Sequence, residues 1–246
     1  MIMADMTAAE EDARETLAQC GRALNRAGLY GLGGHISLRI PDSDLILITP
    51  GGGLDKARLR PSDLTVMDAT GKRVAGQYPP PLETAIHTAV HAARPELGSV
   101  AHLHAHWATV FSVLDVALDL ILLPASCLGG PPPTFDEPHL VITAEAGERL
   151  NAALGQASAV LMRWHGITVV GRTIEEMFNR TIMLEENARL LWEARQIGSP
   201  LALDVRAAGE TAAGPAIDVR TFNYHVNLER ALEEQRHTGR SAENPR

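Results

Sequence analysis

Residues 99–104, with the sequence SVAHLH, form the segment that most constrains the fold, because histidines alternate with apolar residues there. Alternation with a period of two predicts a β-strand, in which residues i and i+2 project to the same face. His102 and His104 would therefore lie on one face of the strand, while Leu103 points into the core. Helical patterns precede and follow this segment, so the chain is predicted to form an α/β domain.

The other segments alternate between helical and strand-like patterns, without an internal repeat or a clear linker. Helices are predicted at residues 7–27, 82–93, from 107, 143–154, 173–197 and, weakly, from 219 onward. Strands are predicted at residues 35–39, 45–49, 64–68, 99–104, 140–142, 159–163 and 167–170. Proline and glycine predict an irregular loop at residues 124–138, and residues 238–246 are expected to be disordered. The chain thus divides into one large domain, residues 1–200, and a partly helical tail, residues 201–246.

The charge balance bears on possible partners. The chain has 22 basic and 30 acidic residues, a net charge of -8, and no run rich in lysine or arginine. We therefore expect neither a nucleic-acid partner nor an anionic membrane. No apolar run is long enough to span a bilayer, and the first residues lack the pattern of a signal peptide. Cys20 and Cys127 lie far apart in the sequence, which favours free thiols and a cytoplasmic location.

A third histidine could join the pair on the strand. His165 lies between Trp164 and Gly166, at the break between two predicted strands. Imidazole is the commonest protein ligand for zinc and related metals, and three such ligands leave a coordination position open for substrate. Two alternatives stay open at this point: the pair could be hydrogen-bonded histidines, and His165 could be a turn histidine with its own partner.

Glu83 and two further histidines lie on the helix that precedes the strand. Glu83 is predicted in the first helical turn, where the helix dipole favours carboxylates, and a purely structural role there is the alternative to a catalytic one. His87 and His91 follow at i+4 and i+8 on the same helical face. Such a face could bind a metal, but we expect these two histidines to be mainly structural.

Several spaced motifs resemble those of one known family. They are GHIS at 34–37, ITPGG at 48–52, PLE at 81–83, ARPE at 93–96, HLH at 102–104 and HGITVVG at 165–171. Over about residues 8–198 the chain resembles the class II aldolase/adducin superfamily. The resemblance implies a three-layer α/β/α fold with a central, mostly antiparallel sheet, and it makes residues 1–200 the catalytic domain. It also implies a homotetramer with active sites between subunits.

The same resemblance implies roles for individual residues. His102, His104 and His165 match the family's metal ligands, so one divalent ion per subunit, either Zn, Mn, Co or Fe, is expected. Glu83 matches the family's acid/base carboxylate. The substrate is expected to be a small acidic molecule, and the candidates for holding its oxygens are His35, Ser37, Thr49, Gly51, Gly52 and Arg163. For Arg163 the alternative is an ion pair outside the site.

Two departures from the family's pattern bear on the substrate. Family members that handle phosphate have asparagine at the position of His35 and two serines at the positions of Pro81 and Leu82. A phosphate site requires hydroxyl and N–H donors, so their loss disfavours a sugar phosphate. The pattern resembles instead a decarboxylase branch that acts on hydroxypyridine-dicarboxylates and dihydroxyphthalate. The predicted activity is metal-dependent decarboxylation of an ortho-hydroxy aromatic or heteroaromatic acid, with Glu83 delivering a proton to the ring carbon.

Three other functions stay open. The first is an aldolase that cleaves a hydroxy-carbonyl or sugar substrate, phosphorylated or not. The second is a non-haem iron oxygenase with the same ligands. The third is a non-catalytic relative of the adducin type, which the presence of all three histidines disfavours.

Overall fold

The computed structural model of the protein describes residues 8–242. Within this range the strands are β1 (His35–Arg39), β2 (Ile46–Ile48), β3 (Thr65–Met67), β4 (Arg73–Ala75), β5 (Ser99–Leu103), β6 (Thr134–Phe135), β7 (Ala159–Met162) and β8 (Gly166–Gly171). They form one sheet in the order β4-β3-β2-β1-β5-β8-β7-β6. Neighbouring strands are antiparallel, except that β6 and β7 are parallel. The predicted α/β fold with a central, mostly antiparallel sheet is confirmed.

Helices cover both faces of this sheet. In the same range they are α1 (Ala8–Arg26), α2 (Thr84–Ala93), α3 (His106–Ser112), α4 (Ala144–Leu154), α5 (Ile174–Arg195), α6 (Val205–Ala212) and α7 (Pro215–Ala242), with short 3-10 turns elsewhere. The helices α1, α5 and α7 share one hydrophobic core with the sheet, to which β5 contributes Ala101 and Leu103. The helices α2 and α4 share the other core, to which β5 contributes Val100. Because side chains alternate along a strand, His102 lies on the face of Val100, toward α2.

Two loop regions differ from the sequence prediction. Residues 140–142, predicted as a strand, have irregular backbone instead, and the N–H of Val141 donates to the Glu83 carboxylate at 2.9 Å. The apolar pattern there belongs to a loop packed against Glu83. The predicted irregular loop at residues 124–138 contains β6, which pairs with β7. Both β6 and β4 escaped the prediction because two or three residues are too few to produce a recognisable pattern.

The C-terminal segment packs against α1 and α5. Phe222 and Val226 of α7 are buried in the core that these helices share, and Arg22 forms an ion pair with Glu229 at 3.1 Å. Helix α7 continues to Ala242, so the stretch expected to be disordered is helical as far as that residue, and residues 243–246 lie outside the described range. No helix within residues 8–242 is long and apolar enough to cross a membrane.

Candidate metal centre

Three histidines from two neighbouring segments of the sheet meet at one end of β5. His102 is on β5, His104 follows that strand directly, and His165 lies in the turn between β7 and β8. One ligand nitrogen from each lies within 4.8 Å of the other two. The ring centroids are 5.2 Å apart for His102 and His104, 4.7 Å for His102 and His165, and 5.0 Å for His104 and His165. The structure therefore brings together the three histidines that the sequence singled out.

Glycines make room for this cluster. A Cβ on Gly33 would collide with the imidazole of His104, and a Cβ on Gly34 would lie 2.8 Å from the carbonyl oxygen of His102. Gly34 also has a φ of 87°, which residues with a side chain rarely adopt. On the other side, Trp164 has a φ of 59°, an unusual conformation for a bulky residue. That conformation presents His165 at the turn, and it marks a locally strained backbone beside the cluster.

His102 is oriented as a metal ligand requires. Its Nδ1–H donates to the carbonyl oxygen of Ile167 at 3.1 Å, which leaves Nε2 as the bare nitrogen. This Nε2 is buried and has no hydrogen-bond partner among residues 8–242. A buried polar atom without a partner is costly, and coordination to an ion removes that cost. The cluster thus fits a divalent metal.

The protonation of the three histidines agrees with this role. Burial, followed by the charges of neighbouring histidines, lowers the pKa of His102 well below its usual value. Burial also lowers the pKa of His104 and of His165. Metal ligands must be neutral imidazoles, so these shifts keep the nitrogen lone pairs available near neutral pH.

A carboxylate lies beside the cluster. Helix α2 begins at Thr84, so Glu83 immediately precedes the helix and is not in its first turn as predicted. Its side chain does not cap the helix: Oε1 accepts the N–H of Val141, and Oε2 lies 3.7 Å from His102 Nε2 and 3.6 Å from His165 Nε2. Burial raises the pKa of Glu83, against smaller lowering effects from the Val141 hydrogen bond and from His104. A carboxyl group with a raised pKa is suited to carry a proton to a substrate.

His35 belongs to a second group of potential ligands. One ligand atom from each of His35, Glu83 and His102 lies within 4.8 Å of the others. The Nδ1 of His35 is already hydrogen-bonded to Nε2 of His87 at 2.6 Å. Its remaining ring nitrogen, Nε2, is therefore the one it can offer to the site.

Two of the predicted substrate-binding residues are fully buried in the structure. The Ser37 hydroxyl contacts Nδ1 of His87 at 2.7 Å and Nε2 of His91 at 2.9 Å. The Thr49 hydroxyl accepts hydrogen bonds from the Tyr30 hydroxyl at 2.8 Å and from a backbone N–H at 2.9 Å. The sequence predicts that both hydroxyls bind a substrate, whereas in the structure both make hydrogen bonds within the protein.

The two glycines among the candidates differ from each other. The N–H of Gly51 donates to the carbonyl oxygen of Pro79 at 3.1 Å, and a Cβ on Gly51 would crowd the backbone of Pro80 and Pro81. A Cβ on Gly52 would meet nothing within 4 Å, so this residue borders open space. Of the pair, Gly52 is the one with room for a substrate beside it.

Arg163 has partners of its own. Its Nε lies 2.5 Å from an oxygen of Asp136, and its Nη1 donates to the carbonyl oxygen of Leu114 at 3.4 Å. The guanidinium also lies 5.6 Å from the ring centroid of Trp164. These contacts correspond to the ion-pair alternative that the sequence left open.

His87 and His91 are more closely linked to the site than the sequence indicated. Both are buried, and through Ser37 they form a hydrogen-bonded row that ends at His35. Two periodic patterns in the sequence could have indicated this row. His35 and Ser37 share one face of a strand, and His87 and His91 share one face of a helix. Only the pairing of that strand face with that helix face, which is a tertiary contact, identifies the row.

Fold and site together define an α/β enzyme scaffold with a histidine-rich metal centre. The model of the Class II Aldolase and Adducin N-terminal domain matches residues 15–192 of this chain. The chain belongs to the class II aldolase/adducin family. Members of that family use a divalent metal, typically zinc, as the histidine cluster described above would require.

Relatives with different activities are similar to this chain to nearly the same degree. A 5-methylthioribulose-1-phosphate/5-deoxyribulose-1-phosphate aldolase of Rhodospirillum rubrum is 31% identical over 76% of this chain and 83% of that protein. A 3,4-dihydroxyphthalate decarboxylase of Rhodococcus jostii is 30% identical over 73% of this chain and 79% of that protein. The structure of an L-fuculose 1-phosphate aldolase from Glaciozyma antarctica superposes with a TM-score of 0.80 at 21% identity, over 94% of this chain and 95% of that chain. The structural match shows the shared fold, and the family and its two relatives above place the chain among lyases without deciding the type of lyase.

Proposed function

We propose that this protein is a divalent-metal-dependent carbon–carbon lyase that decarboxylates an ortho-hydroxy aromatic or heteroaromatic acid. One ion per subunit is held by His102, His104 and His165, and Glu83 is the proton donor. The observation that carries the proposal is the buried Glu83 carboxyl, with its raised pKa, within 3.7 Å of two of those histidines. A proton donor and a metal centre at one place are what this decarboxylation needs.

The reaction breaks the bond between a ring carbon and the carboxylate carbon. Glu83 first gives its proton to that ring carbon, and the ortho oxygen, a phenolate, becomes a carbonyl. The bond then breaks, carbon dioxide leaves, and the electron pair restores the aromatic ring and the negative charge on the ortho oxygen. A divalent ion bound in the histidine cluster would supply Lewis-acid stabilisation of the negative charge on substrate oxygens. Glu83 regains a proton from solvent before the next turnover. The Val141 N–H fixes one carboxyl oxygen of Glu83, so the other is the one directed at the cluster.

Donors for a phosphate group are scarce around this site, which favours an unphosphorylated substrate. Ser37, Thr49 and the Gly51 N–H already have partners inside the protein. A hydrogen bond to a charged group is worth about 1.5–3 kcal/mol, so a dianion that loses two or three of them binds weaker by at least a few orders of magnitude.

Two residues that directly precede site residues in the sequence are apolar and exposed. Leu82, which directly precedes Glu83, is 80% exposed, and Trp164, which directly precedes His165, is 58% exposed. Apolar and aromatic surface suits a flat aromatic ring better than it suits a sugar phosphate. We propose that the His35 N–H and the backbone at Gly52 bind the oxygens of the substrate. Arg163 contributes if it releases Asp136 and binds a substrate carboxylate instead.

An aldolase is the second candidate, because the relative from Rhodospirillum rubrum bears that activity in its name at 31% identity. Retro-aldol cleavage and decarboxylation both leave an electron pair on carbon next to an oxygen-bearing carbon, so the same metal and carboxyl group would serve either reaction. The two reactions differ in whether carbon dioxide or an aldehyde is released.

The experiment is a comparison of substrates with the zinc- or manganese-loaded protein. Catechol carboxylates and hydroxypyridine-dicarboxylates are supplied in parallel with fuculose and ribulose phosphates, and both carbon dioxide and aldehyde are measured. We expect carbon dioxide from at least one aromatic acid, with a kcat/KM well above that for any sugar phosphate. Efficient cleavage of a sugar phosphate, with no carbon dioxide from any aromatic acid, would replace the decarboxylase with the aldolase.

We further propose that the protein is a cytoplasmic homotetramer with active sites between subunits. The exposed Leu82 and Trp164 side chains, adjacent in sequence to site residues, are consistent with a neighbouring subunit beside the site. Light scattering of the purified protein tests the tetramer, which predicts a mass four times the 26.5 kDa of one chain.

A further inference from the structure

A row of four hydrogen-bonded side chains leads away from the metal centre into the protein. Nδ1 of His35 contacts Nε2 of His87 at 2.6 Å, and Nδ1 of His87 contacts the Ser37 hydroxyl at 2.7 Å. That hydroxyl contacts Nε2 of His91 at 2.9 Å. All four residues are buried, with 5% exposure for His35, 3% for His91 and none for His87 or Ser37. Such a row is unusual, because most side-chain hydrogen bonds go to backbone or water.

The row permits only two arrangements of its protons. A buried imidazolium would be an unpaired buried charge, so each histidine is neutral, with one N–H and one bare nitrogen. Burial is also the main cause of the lowered pKa of His35, His87 and His91. Ser37 has no other hydrogen-bond partner among the described residues, so its buried hydroxyl donates to one of the two histidines and accepts from the other. Since each contact then has one donor and one acceptor, fixing the proton of one member fixes all the others. Either every proton points toward the metal centre, or every proton points away from it.

The deep end of the row favours protons that point toward the metal centre. Nδ1 of His91 is buried, and among the described residues no acceptor meets it in good hydrogen-bond geometry; the nearby carbonyl oxygen of Leu97 already accepts from Arg39 Nε at 3.0 Å. If the protons pointed away, this nitrogen would carry an N–H with only that misaligned and already engaged acceptor, and poorly satisfied buried donors are rare in proteins. The guanidinium of Arg39 donates to the carbonyl oxygen of His91, and its positive charge further disfavours an imidazolium at this position.

The other end of the row favours the same arrangement. With its Nδ1 accepting from His87, His35 carries its proton on Nε2, the nitrogen left free for Glu83 and His102, which each have a ligand atom within 4.8 Å of one on His35. An N–H there points toward a carboxyl group, which is a favourable interaction.

We propose that His87, Ser37 and His91 are positioning residues that hold His35 with its N–H on Nε2, facing the metal centre. His35 then donates a hydrogen bond to a substrate oxygen and has no lone pair for a metal. The second group of potential ligands, which includes His35, therefore holds no ion of its own. Only the identity of the oxygen that accepts this hydrogen bond rests on the proposed function; the position of the proton does not.

Neutron diffraction of the zinc-loaded protein, crystallised from heavy water, tests the proton positions without any substrate. We expect deuterium on Nε2 of His35, His87 and His91, and none on Nδ1 of His91. Deuterium on Nδ1 of His35 would overturn the proposal, because His35 would then donate to His87 and leave its Nε2 bare.

Two serine variants test whether the row matters for turnover. Ser37→Ala breaks the row between His87 and His91. Ser99→Ala on β5 is the matched control, because Ser99 is also fully buried but its hydroxyl donates to the backbone of Gly171 and Thr173. We expect Ser37→Ala to lower kcat/KM about tenfold, because it removes one of the hydrogen bonds that hold the His35 proton on Nε2. The variant should retain its metal. Ser99→Ala should stay within about twofold of wild type. Equal effects in the two variants would contradict a positioning role.

A second pair of variants tests the row even if Ser37→Ala fails to fold. His91→Gln retains an N–H donor for Ser37, whereas His91→Leu does not. We expect turnover to survive in His91→Gln and to fall about tenfold in His91→Leu, with metal content unchanged in both. If both variants turn over like wild type, the row does not position His35. If no substrate is found at all, the proposed function fails while the neutron experiment still decides the position of the proton.

Discussion

The protein uses two groups of histidines in opposite ways. The metal-centre group, His102, His104 and His165, brings three nitrogens within 4.8 Å of one another, and the bare Nε2 of His102 has no protein partner in the described residues. The buried row, comprising His35, His87 and His91 with Ser37, pairs four of its six ring nitrogens with a neighbour inside the row. The two groups share the same residue type and differ in what each ring nitrogen contacts and in burial, because His104 is exposed and His165 half-buried while the whole row is buried.

This contrast has a simple structural origin. His35 and His102 lie directly opposite each other on β1 and β5, so the two groups meet there. From that point the metal-centre group extends along β5 to its end, where His104 is exposed and His165 half-buried, while the row extends under α2, where the packing is closed. Imidazoles at the open end keep free lone pairs for an ion. Those under the helix are shielded from water, so their ring nitrogens must form hydrogen bonds within the row.

The largest expected effect comes from the metal-centre group. His102→Ala combined with His104→Ala removes two of three ligands, so metal content should fall from about one ion per chain to nearly none. The fold should survive, because a catalytic ion contributes less to folding than a structural one. Elemental analysis and circular dichroism measure both outcomes. Stoichiometric metal in the double variant would mean that the ion is bound elsewhere.

The next effect concerns the carboxyl group between the two histidine groups. Glu83→Gln keeps the shape and the Val141 hydrogen bond but removes the proton that titrates. We expect kcat to fall by roughly two to four orders of magnitude, while metal content changes little. Near-normal turnover, measured as carbon dioxide release, would reduce Glu83 to a structural carboxylate that precedes a helix.

The smallest effect should appear in the buried row, as a change in the pH dependence of stability. Burial lowers the pKa of His91 from 6.5 to about 3 in the folded protein, so the unfolded chain binds a proton more readily. His91 therefore supports the folded state fully above pH 6.5, and this support is lost as the pH falls from 6.5 toward 3.

His91→Gln removes that titration and keeps a donor for Ser37. Between pH 6.5 and pH 4, the free energy of unfolding of wild type should fall more steeply than that of the variant, by about 1.4 kcal/mol per pH unit. Urea unfolding at several pH values measures the slopes. His139→Gln, at an exposed position, is the control and should follow wild type. Parallel curves for wild type and His91→Gln would show that His91 does not titrate in this way.

Much of the metal centre could be predicted from the sequence, because its signals are local. The alternation in residues 99–104 gave both the strand and the shared face of two ligands, and the glycine after His165 marked a turn. The buried row could not be predicted in the same way. His87 and His91 showed one helical face, but their partner Ser37 lies about 50 residues earlier, and only the packing of α2 on β1 joins them. For the same reason the sequence predicts that Ser37 and Thr49 bind a substrate, although their hydroxyls are buried in the structure.

Anomalous diffraction at the absorption edge of the bound metal tests most directly which histidines hold the ion. Crystals of the protein as purified are sufficient, and the experiment needs no substrate. We predict one anomalous peak per chain, bounded by the imidazoles of His102, His104 and His165 and not coordinated by His35. A peak between His35, Glu83 and His102, or one peak in each group, would contradict the division of the histidines into a metal centre and a buried row.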